Sequence, residues 1–311
     1  MKSISTITLL LVHTALFSQH LFTTPINASD VGSFWRAFDE LEKDTTKNPF
    51  EHYISTGTPG LMDLNHQMIG GAVKLKKHVL QRIGFYRSAR SVSSSWQDYI
   101  DKVNYVSQQL TVRVPGIRFP TVYLAIGIEN CGSTMSANGI IIGLETLCYL
   151  PGEDPLGLNR SMENLPEMIA TVVIWHNLTG DWDDSLLCRV IASGSAEFFT
   201  KQAVRDLKIK YPMWSRTDPY GEAHRCALWK KFVEDRNQKI TTGWFWEYNK
   251  DVPANLGEWM GFTIVSEYFK VHQANPDVMQ NCLNLTLLKQ FVEDKMVLEY
   301  CGSSPALLPG K

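Results

Sequence analysis

Two apolar segments with helical periodicity, close together in the middle of the chain, constrain the fold most strongly. In the first, Ile169, Val172, Val173 and His176 fall at i, i+3, i+4 and i+7, the spacing of one helix face. In the second, apolar residues at positions 186, 187, 190 and 191 lead into the run from Ser193 to Glu197. Both segments predict buried helices that carry polar side chains at or beside an apolar face.

The rest of the pattern predicts an α+β fold that is predominantly helical. We expect further helices over residues 34–43, 61–85, 94–110, 256–270 and 285–298. Apolar residues alternate from Val122 to Ile128, which predicts a half-buried strand, and residues 139–144 form its expected partner across a turn containing Gly132 and Asn138. Helices, a short sheet and a helical second half follow in that order.

The amino terminus predicts export. Met1-Lys2 is followed by an apolar stretch from Ile4 to Phe17 and by small or polar residues at 18 and 19, the pattern of a secretory signal peptide over residues 1–18. Residues 19–311 then form one domain, since hydrophobic residues make up 44% of the chain and can build a large core. No later apolar segment has the length of a membrane helix. We expect a periplasmic or secreted protein without a transmembrane segment.

The cysteines fit an oxidising compartment better than a metal site. The chain has six, and none forms a C-x-x-C pair. Disulfides are therefore plausible, with Cys131–Cys148 and Cys282–Cys301 favoured because they are nearest along the chain. Six cysteines allow about 15 pairings, and the sequence leaves that choice open.

Several short segments recur in an order that resembles a known family. They are Phe34-Trp35-Arg36-Ala37-Phe38-Asp39, Gly132-Ser133-Thr134, residues 138–145 ending at Glu145, Leu165-Pro166, Tyr220-Gly221-Glu222-Ala223-His224, Leu228-Trp229 and Asn255-Leu256-Gly257-Glu258-Trp259-Met260-Gly261. Together they make the chain similar to a bacterial family of predicted zinc-dependent peptidases, formerly a domain of unknown function. The resemblance covers most of residues 19–311. It implies a zincin-like architecture with a small sheet beside the active-site helix.

The resemblance also implies where a metal site would lie, and the chain departs from the family there. An H-E-x-x-H helix holds zinc between two histidines, and its glutamate is the general base. Aligned in this way, His176 is the first ligand, Asn177 replaces the base and Gly180 replaces the second histidine. Ser193 stands at the third ligand position of an E-G-x-A-(D/E) segment, and Glu197 keeps the supporting acidic position.

These departures predict a pseudopeptidase. With two of three ligands lost and an amide in place of the base, no zinc cofactor and no hydrolysis are expected, whereas peptide or protein binding in the cleft can persist. His224, Glu145 and Tyr220 are candidate cleft residues. His176 also fits a hydrogen-bonded core residue, and His224 fits either a former oxyanion stabiliser or a structural role.

Two alternatives remain open from the sequence. One is an active zinc metallopeptidase whose site is rebuilt from His176, Glu197 and His224, and the other is a structural envelope protein. Asp181, Asp183 and Asp184 are better explained as a solvated turn than as a calcium site, because the spacing of an EF-hand is absent. The aromatic residues at 244–246 and 248 can pack between helices or line a cleft.

Other classes of function are not indicated. There is no phosphate-binding glycine motif and no nucleophile elbow. The basic run from Lys74 to His78 is short and the net charge is −2, so no nucleic-acid partner is expected. The oligomeric state is not predicted.

Overall fold

A computed structural model describes residues 23–210, 212–239, 242–246 and 251–296. Within these ranges the chain is a predominantly helical α+β structure with a small sheet, as the sequence predicts. The signal peptide predicted for residues 1–18 lies outside them, as does Cys301. No helix in the described ranges combines the length and apolarity needed to cross a bilayer.

The first part of the chain is a short strand followed by helices. The elements are β1 (Ile26–Asn27), α1 (Ser29–Lys43), α2 (Phe50–Ser55), α3 (Pro59–Leu64), α4 (Ala72–Gln81), α5 (Ile83–Ser94) and α6 (Ile100–Arg113). The single helix predicted over residues 61–85 is wrong, because α3, α4 and α5 divide that range. Gly70 and Gly71 separate the first two with φ values of 77° and 108°, a backbone that favours glycine.

The sheet contains β2 (Val122–Ala125), β3 (Ser133–Ser136) and β4 (Gly139–Gly143) in addition to β1, in the order β1-β2-β4-β3. β2 pairs in parallel with β1 and β4, whereas β3 pairs antiparallel with β4. The predicted pairing of residues 122–128 with 139–144 is confirmed, but the expected turn between them contains β3. That strand was missed because its residues are all half-buried and show no alternation.

The second part is helical: α7 (Leu165–His176), α8 (Leu186–Val204), α9 (Thr217–Ala223), α10 (Arg225–Asp235), α11 (Leu256–His272), α12 (Val278–Asn281) and α13 (Leu285–Phe291). Helix α8 is buried along nearly its whole length and packs against both α7 and α11. Its first turn is capped by Ser185, whose side chain accepts from Cys188 N at 3.1 Å. The helices predicted from Leu186 and over 256–270 are confirmed.

The contact between α8 and α11 depends on two glycines. A Cβ on Gly194 would lie 1.9 Å from the carbonyl carbon of Gly261, and one on Gly261 would lie 1.9 Å from Val190 O. Real side chains cannot occupy either distance, so the backbones of the two helices touch directly. Any larger residue has to push the helices apart.

We expect Gly194→Ala to lower the free energy of unfolding by about 3 kcal/mol, since overpacking a close helix contact is costly. Gly84→Ala in α5 is the matched control: a Cβ there meets nothing within 4 Å. It should be neutral or stabilising by up to about 1 kcal/mol. Chemical denaturation of both variants tests this, and equal stability of the two would contradict the close contact.

Candidate functional site

Helix α7 ends at His176, so the chain leaves the helical path before Gly180. Asn177 Nδ2 donates to Val173 O at 2.7 Å and to Arg118 O at 2.8 Å, and Asn177 Oδ1 accepts from Arg118 N at 2.8 Å. These bonds fix Asn177 at the helix end, where it is only 8% exposed. The prediction that His176 and Gly180 lie four residues apart on one helix face is wrong.

Gly180 belongs to a chain crossing. Its φ is 86°, and a Cβ there would lie 2.8 Å from Asn284 Oδ1. The preceding residue, Thr179, donates to Leu283 O at 2.9 Å and accepts from Leu285 N at 2.8 Å. This crossing alone accounts for a glycine at the position.

His176 is half-exposed at the end of α7. Loss of hydration lowers the pKa of its imidazole, and the positive charge of Arg118 lowers it further. His176 is not among the residues that line the main cavity of the molecule.

That cavity has a volume of about 430 Å³, within the range of small-ligand sites. It lies between α7, α8, the start of α11 and the loops that follow β2 and α8. Helix α7 contributes Glu167, Thr171 and Trp175, and helix α8 contributes Ser193, Glu197 and Thr200. Two polar helix faces therefore meet in an otherwise apolar core.

The α7 residues that line the cavity together with Ser193 thus include Thr171 and Trp175. Each lies five residues before the corresponding residue chosen from the sequence, His176 or Gly180. Thr171 Oγ1 lies 3.3 Å from Thr200 Oγ1 of α8, which fixes this face of α7 against α8. Thr171 and Trp175 have the i, i+4 spacing that a zinc helix needs, but neither residue type is a usual zinc ligand. The repeat Glu167, Thr171, Trp175 was the signal in the sequence that could have located this face.

The α7 and α8 residues Thr171, Trp175 and Ser193 do not suit a zinc ion. Zinc sites in proteins use histidine, cysteine and carboxylate ligands, whereas these three residues offer two hydroxyls and an indole. The carboxylate of Glu197, which the sequence placed near the site, is engaged by Lys201. Across the described ranges, no three histidine, cysteine, aspartate or glutamate side chains are grouped so that they could hold a metal.

Glu167 is a fully buried carboxyl near the start of α7. Its Oε2 accepts from Asn164 Nδ2 at 2.8 Å and its Oε1 accepts from Met213 N at 2.9 Å. Burial outweighs these bonds and raises the pKa of Glu167 to about 7. A buried acid in an apolar helix is unusual, because burying an ionisable group lowers the stability of the fold. Glu167 is therefore a candidate functional residue.

Glu197 and Lys201 form a buried ion pair on α8. Lys201 Nζ lies 2.7 Å from Glu197 Oε1 and 2.7 Å from Asp218 Oδ2 of α9. Burial raises the pKa of both carboxyls. Burial alone would lower the pKa of Lys201, but the two carboxylates raise it above its ordinary value. The ammonium therefore stays charged.

Glu258 lies in the first turn of α11 and also lines the cavity. Burial raises its pKa to about 8, and the charges of Glu197 and Glu167 add to the shift. The three glutamates therefore interact electrostatically across the cavity. Sequence reasoning missed Glu167, Glu258 and Lys201, because their proximity depends on how α7, α8 and α11 pack.

Glu145, a predicted cleft residue, lies under the cavity and does not line it. It is only 1% exposed, and its Oε1 accepts from Glu129 N at 3.2 Å. No hydrogen-bond donor in the described part of the chain reaches its Oε2. Burial raises the pKa of Glu145 to about 7.

Glu129 stands at the rim, in the loop after β2, with a φ of 59°. Its carboxylate accepts from Arg82 Nε at 2.9 Å and lies 3.0 Å from His78 Nε2. Burial opposes ionisation, but these two partners lower the pKa of Glu129 overall. The carboxylate of Glu129 is therefore ionised, and the guanidinium of Arg82 balances its charge.

Three tryptophans line the same cavity: Trp175, Trp214 and Trp246. Trp246 is 53% exposed and carries the guanidinium of Arg189 against its ring, 4.2 Å from the ring centroid. Of the aromatic group at 244–246, Trp244 and Phe245 pack in the core, whereas Trp246 faces the cleft. Tyr248 lies outside the described residues.

The other predicted cleft residues are not brought to the cavity. Tyr220 and His224 stack on each other with centroids 4.0 Å apart, and neither lines the cavity. His224 is exposed. The combination of His176, Glu197 and His224 proposed for a rebuilt metal site is therefore not assembled around it.

The acidic residues after α7 form a solvated turn, as predicted. Asp183 pairs with Lys289 at 2.8 Å and Asp184 pairs with Lys239 at 2.7 Å. Each acid is exposed and has its own cation, which leaves no calcium-like cage.

The favoured disulfide between Cys131 and Cys148 is not formed, and both residues are buried thiols. Cys148 Sγ instead donates to Leu144 O at 3.2 Å. Cys188 and Cys282 are also thiols. The two favoured partners were chosen by distance along the chain, which says little about distance in the fold.

No protein-family model, curated protein or solved structure matches this chain. Its relation to zinc-dependent peptidases remains an expectation from the sequence. The function therefore has to be inferred from the cavity and from the elements around it.

The buried glutamates predict that stability falls as pH rises. Glu145, Glu167 and Glu258 have pKa values of about 7, 7 and 8, against an ordinary value of 4.5. From about pH 5 to 8 the folded chain binds more protons than the unfolded chain, so the free energy of unfolding decreases over that window. Glu145 alone contributes about 3 kcal/mol to the decrease.

Glu145→Gln keeps the acceptor for Glu129 N and removes the ionisable group, so it should flatten this pH dependence. Glu40→Gln, at an exposed position of α1, is the control and should leave it unchanged. Urea unfolding at several pH values measures both. Stability that is constant or rising between about pH 5 and 8 would contradict the assignment.

Proposed function

We propose that this chain is an exported, non-catalytic protein of zincin-like architecture that binds an extended segment of a peptide or protein. The supporting observation is the free edge of strand β3, which borders the cavity. Export rests on the pattern of residues 1–19. The zincin-like architecture is supported by a small sheet with an antiparallel edge strand beside two central helices.

Strand β3 is the last strand of the sheet, and within the described residues one of its edges pairs with no other strand. Gly143 N donates to Gly132 O at 3.1 Å. Because hydrogen bonding alternates along an antiparallel pair, Thr134 then directs its main chain toward β4, whereas Ser133 and Met135 direct theirs to the free edge. Met135 O accepts from Gln67 Nε2 at 3.4 Å, as this alternation requires.

Ser133 lies where this edge meets the cavity, which it lines together with Gly132. Its amide and carbonyl can pair with an extended peptide by strand addition. Side chains of an added strand point alternately to its two faces, so one of them can enter the cavity. Main-chain bonds to β3 and a side-chain pocket are the two components of this mode of recognition.

The cavity gives more support to binding than to zinc-dependent hydrolysis. The α7 and α8 residues at its centre, Thr171, Trp175 and Ser193, do not make a zinc site. Asn177, which occupies the predicted base position, is committed to main-chain bonds at the end of α7. A peptide held beside Ser133 would meet no activated water from these groups.

The test uses acetylated and amidated peptides of alternating threonine and valine with a central lysine, titrated by fluorescence anisotropy. Along an added strand, every second peptide amide faces β3 and the others face away. A peptide that is N-methylated at the amides facing β3 should not bind, whereas a peptide that is N-methylated at the other amides should still bind. Loss of binding from both sets, or from neither, would contradict strand addition.

Ser133→Pro removes the N–H that faces the free edge and should weaken peptide binding about tenfold. Ser133→Ala is the matched control and should bind like the unmodified protein, because it keeps the amide. Thermal unfolding confirms that both variants are folded. Unchanged affinity of a folded Ser133→Pro variant would overturn the proposal.

A further inference from the structure

We infer that the cavity beside β3 receives a cationic side chain of the bound peptide, the ammonium of lysine or the guanidinium of arginine. This inference rests on the proposed function, since the peptide carries the cation. The carboxyl groups of the cavity, the incompletely satisfied Glu197 and the tryptophan wall support it.

The charges at the rim cancel in pairs. Arg160 lines the cavity and is held by Asp154, with Nη2 at 2.8 Å from Oδ1 and Nε at 2.9 Å from Oδ2. Glu129 is held in the same way by Arg82 and His78. These two ion pairs therefore add no net charge toward a ligand.

The charges at the base of the cavity do not cancel. Glu167, Glu197 and Glu258 all line it. Lys201 acts on each of the three, but its ammonium is shared with a fourth carboxyl, Asp218. One ammonium thus faces four carboxyl groups. Burial is the largest cause of the raised pKa values of the three glutamates, and repulsion between neighbouring carboxylates adds to it.

Glu197 also brings an incompletely satisfied acceptor to the cavity. Its side chain is only 9% exposed, and Lys201 Nζ lies 2.7 Å from its Oε1. Despite that ion pair, Oε1 accepts no well-aligned hydrogen bond from the residues that the structure describes. A buried acceptor of this kind is costly unless a donor arrives, and an ammonium or guanidinium brings several.

The walls suit the rest of such a side chain. Trp175 and Trp214 present aromatic surfaces, which attract cations through the ring face, whereas the ring of Trp246 already carries the guanidinium of Arg189. The protein already uses this interaction there: Lys201 Nζ lies 5.1 Å from the Trp214 centroid. Met68, Met168 and Met213 line the cavity as well and fit an aliphatic stem.

The experiment compares peptides of one backbone that differ only in the central residue: lysine, acetyl-lysine, norleucine or glutamate. At about pH 8, above the pKa of Glu167, lysine should bind at least about tenfold more tightly than norleucine. Acetyl-lysine should resemble norleucine, and glutamate should bind most weakly. Equal affinity of lysine and norleucine would overturn the cation site while leaving strand addition intact.

Glu197→Gln and Glu258→Gln should each lower the affinity for the lysine peptide about fivefold or more and leave the norleucine peptide within about twofold. Glu40→Gln is the matched control and should change neither. If the lysine preference survives both cavity variants, the assignment of these carboxylates is wrong.

Pentylamine, with pentanol as its neutral counterpart, tests the cavity without a peptide. If pentylamine protects the Trp fluorescence from a soluble quencher, pentanol does not, and the protection is lost in Glu197→Gln, the cation site is supported even when no peptide binds. In that case strand addition fails while the cation site stands. No effect of the amine and no lysine preference together overturn the inference.

Discussion

The contact between Gly194 and Gly261 determines how the central helices lie, and the cavity depends on it. The two backbones touch there because neither residue has a Cβ. Glu197 follows Gly194 by three residues on α8, and Glu258 precedes Gly261 by three residues on α11, so both carboxyls lie on the faces that the glycines bring together. Helix α7 packs on the same α8 and adds Glu167. Small residues at a helix crossing thus concentrate three acids in one buried space, with Lys201 as the counter-charge.

Burying three carboxyl groups in one cavity costs free energy of folding, and this cost explains their raised pKa values. Buried carboxyls are stable only when they are hydrogen-bonded, paired or protonated. Glu167 accepts two hydrogen bonds and Glu197 is paired with Lys201. The single ammonium of Lys201 cannot balance all of the carboxyl groups if they ionise. Groups kept in such a state in a cavity are more readily explained by a ligand than by stability. The same cavity opens beside the free edge of β3, where main-chain groups of Ser133 remain available.

The sequence predicted the class of the fold and the central helices well, because their apolar periodicity is strong over residues 169–176 and 186–199. It failed at the end of α7. There the side chain of Asn177 bonds to the main chain of Arg118, 59 positions away in the chain, and no local pattern signals that contact. His176 and Gly180 consequently do not share a helix face, and the α7 residues that line the cavity with Ser193 include Thr171 and Trp175. Ser193 and Glu197, chosen from the sequence, both line the cavity. The proximity of Glu258 and Lys201 depends on packing between distant helices, which no local pattern signals.

We propose that this cavity binds a ligand without holding a metal. The zinc content of the purified mature protein, measured by elemental mass spectrometry after dialysis against trace zinc, tests this most directly. With hydroxyls and an indole where α7 and α8 meet at the cavity, we expect far less than one zinc per chain, unchanged in Glu197→Gln. A value near one zinc per chain that falls in Glu197→Gln would contradict it and would restore a metal site built around that carboxylate.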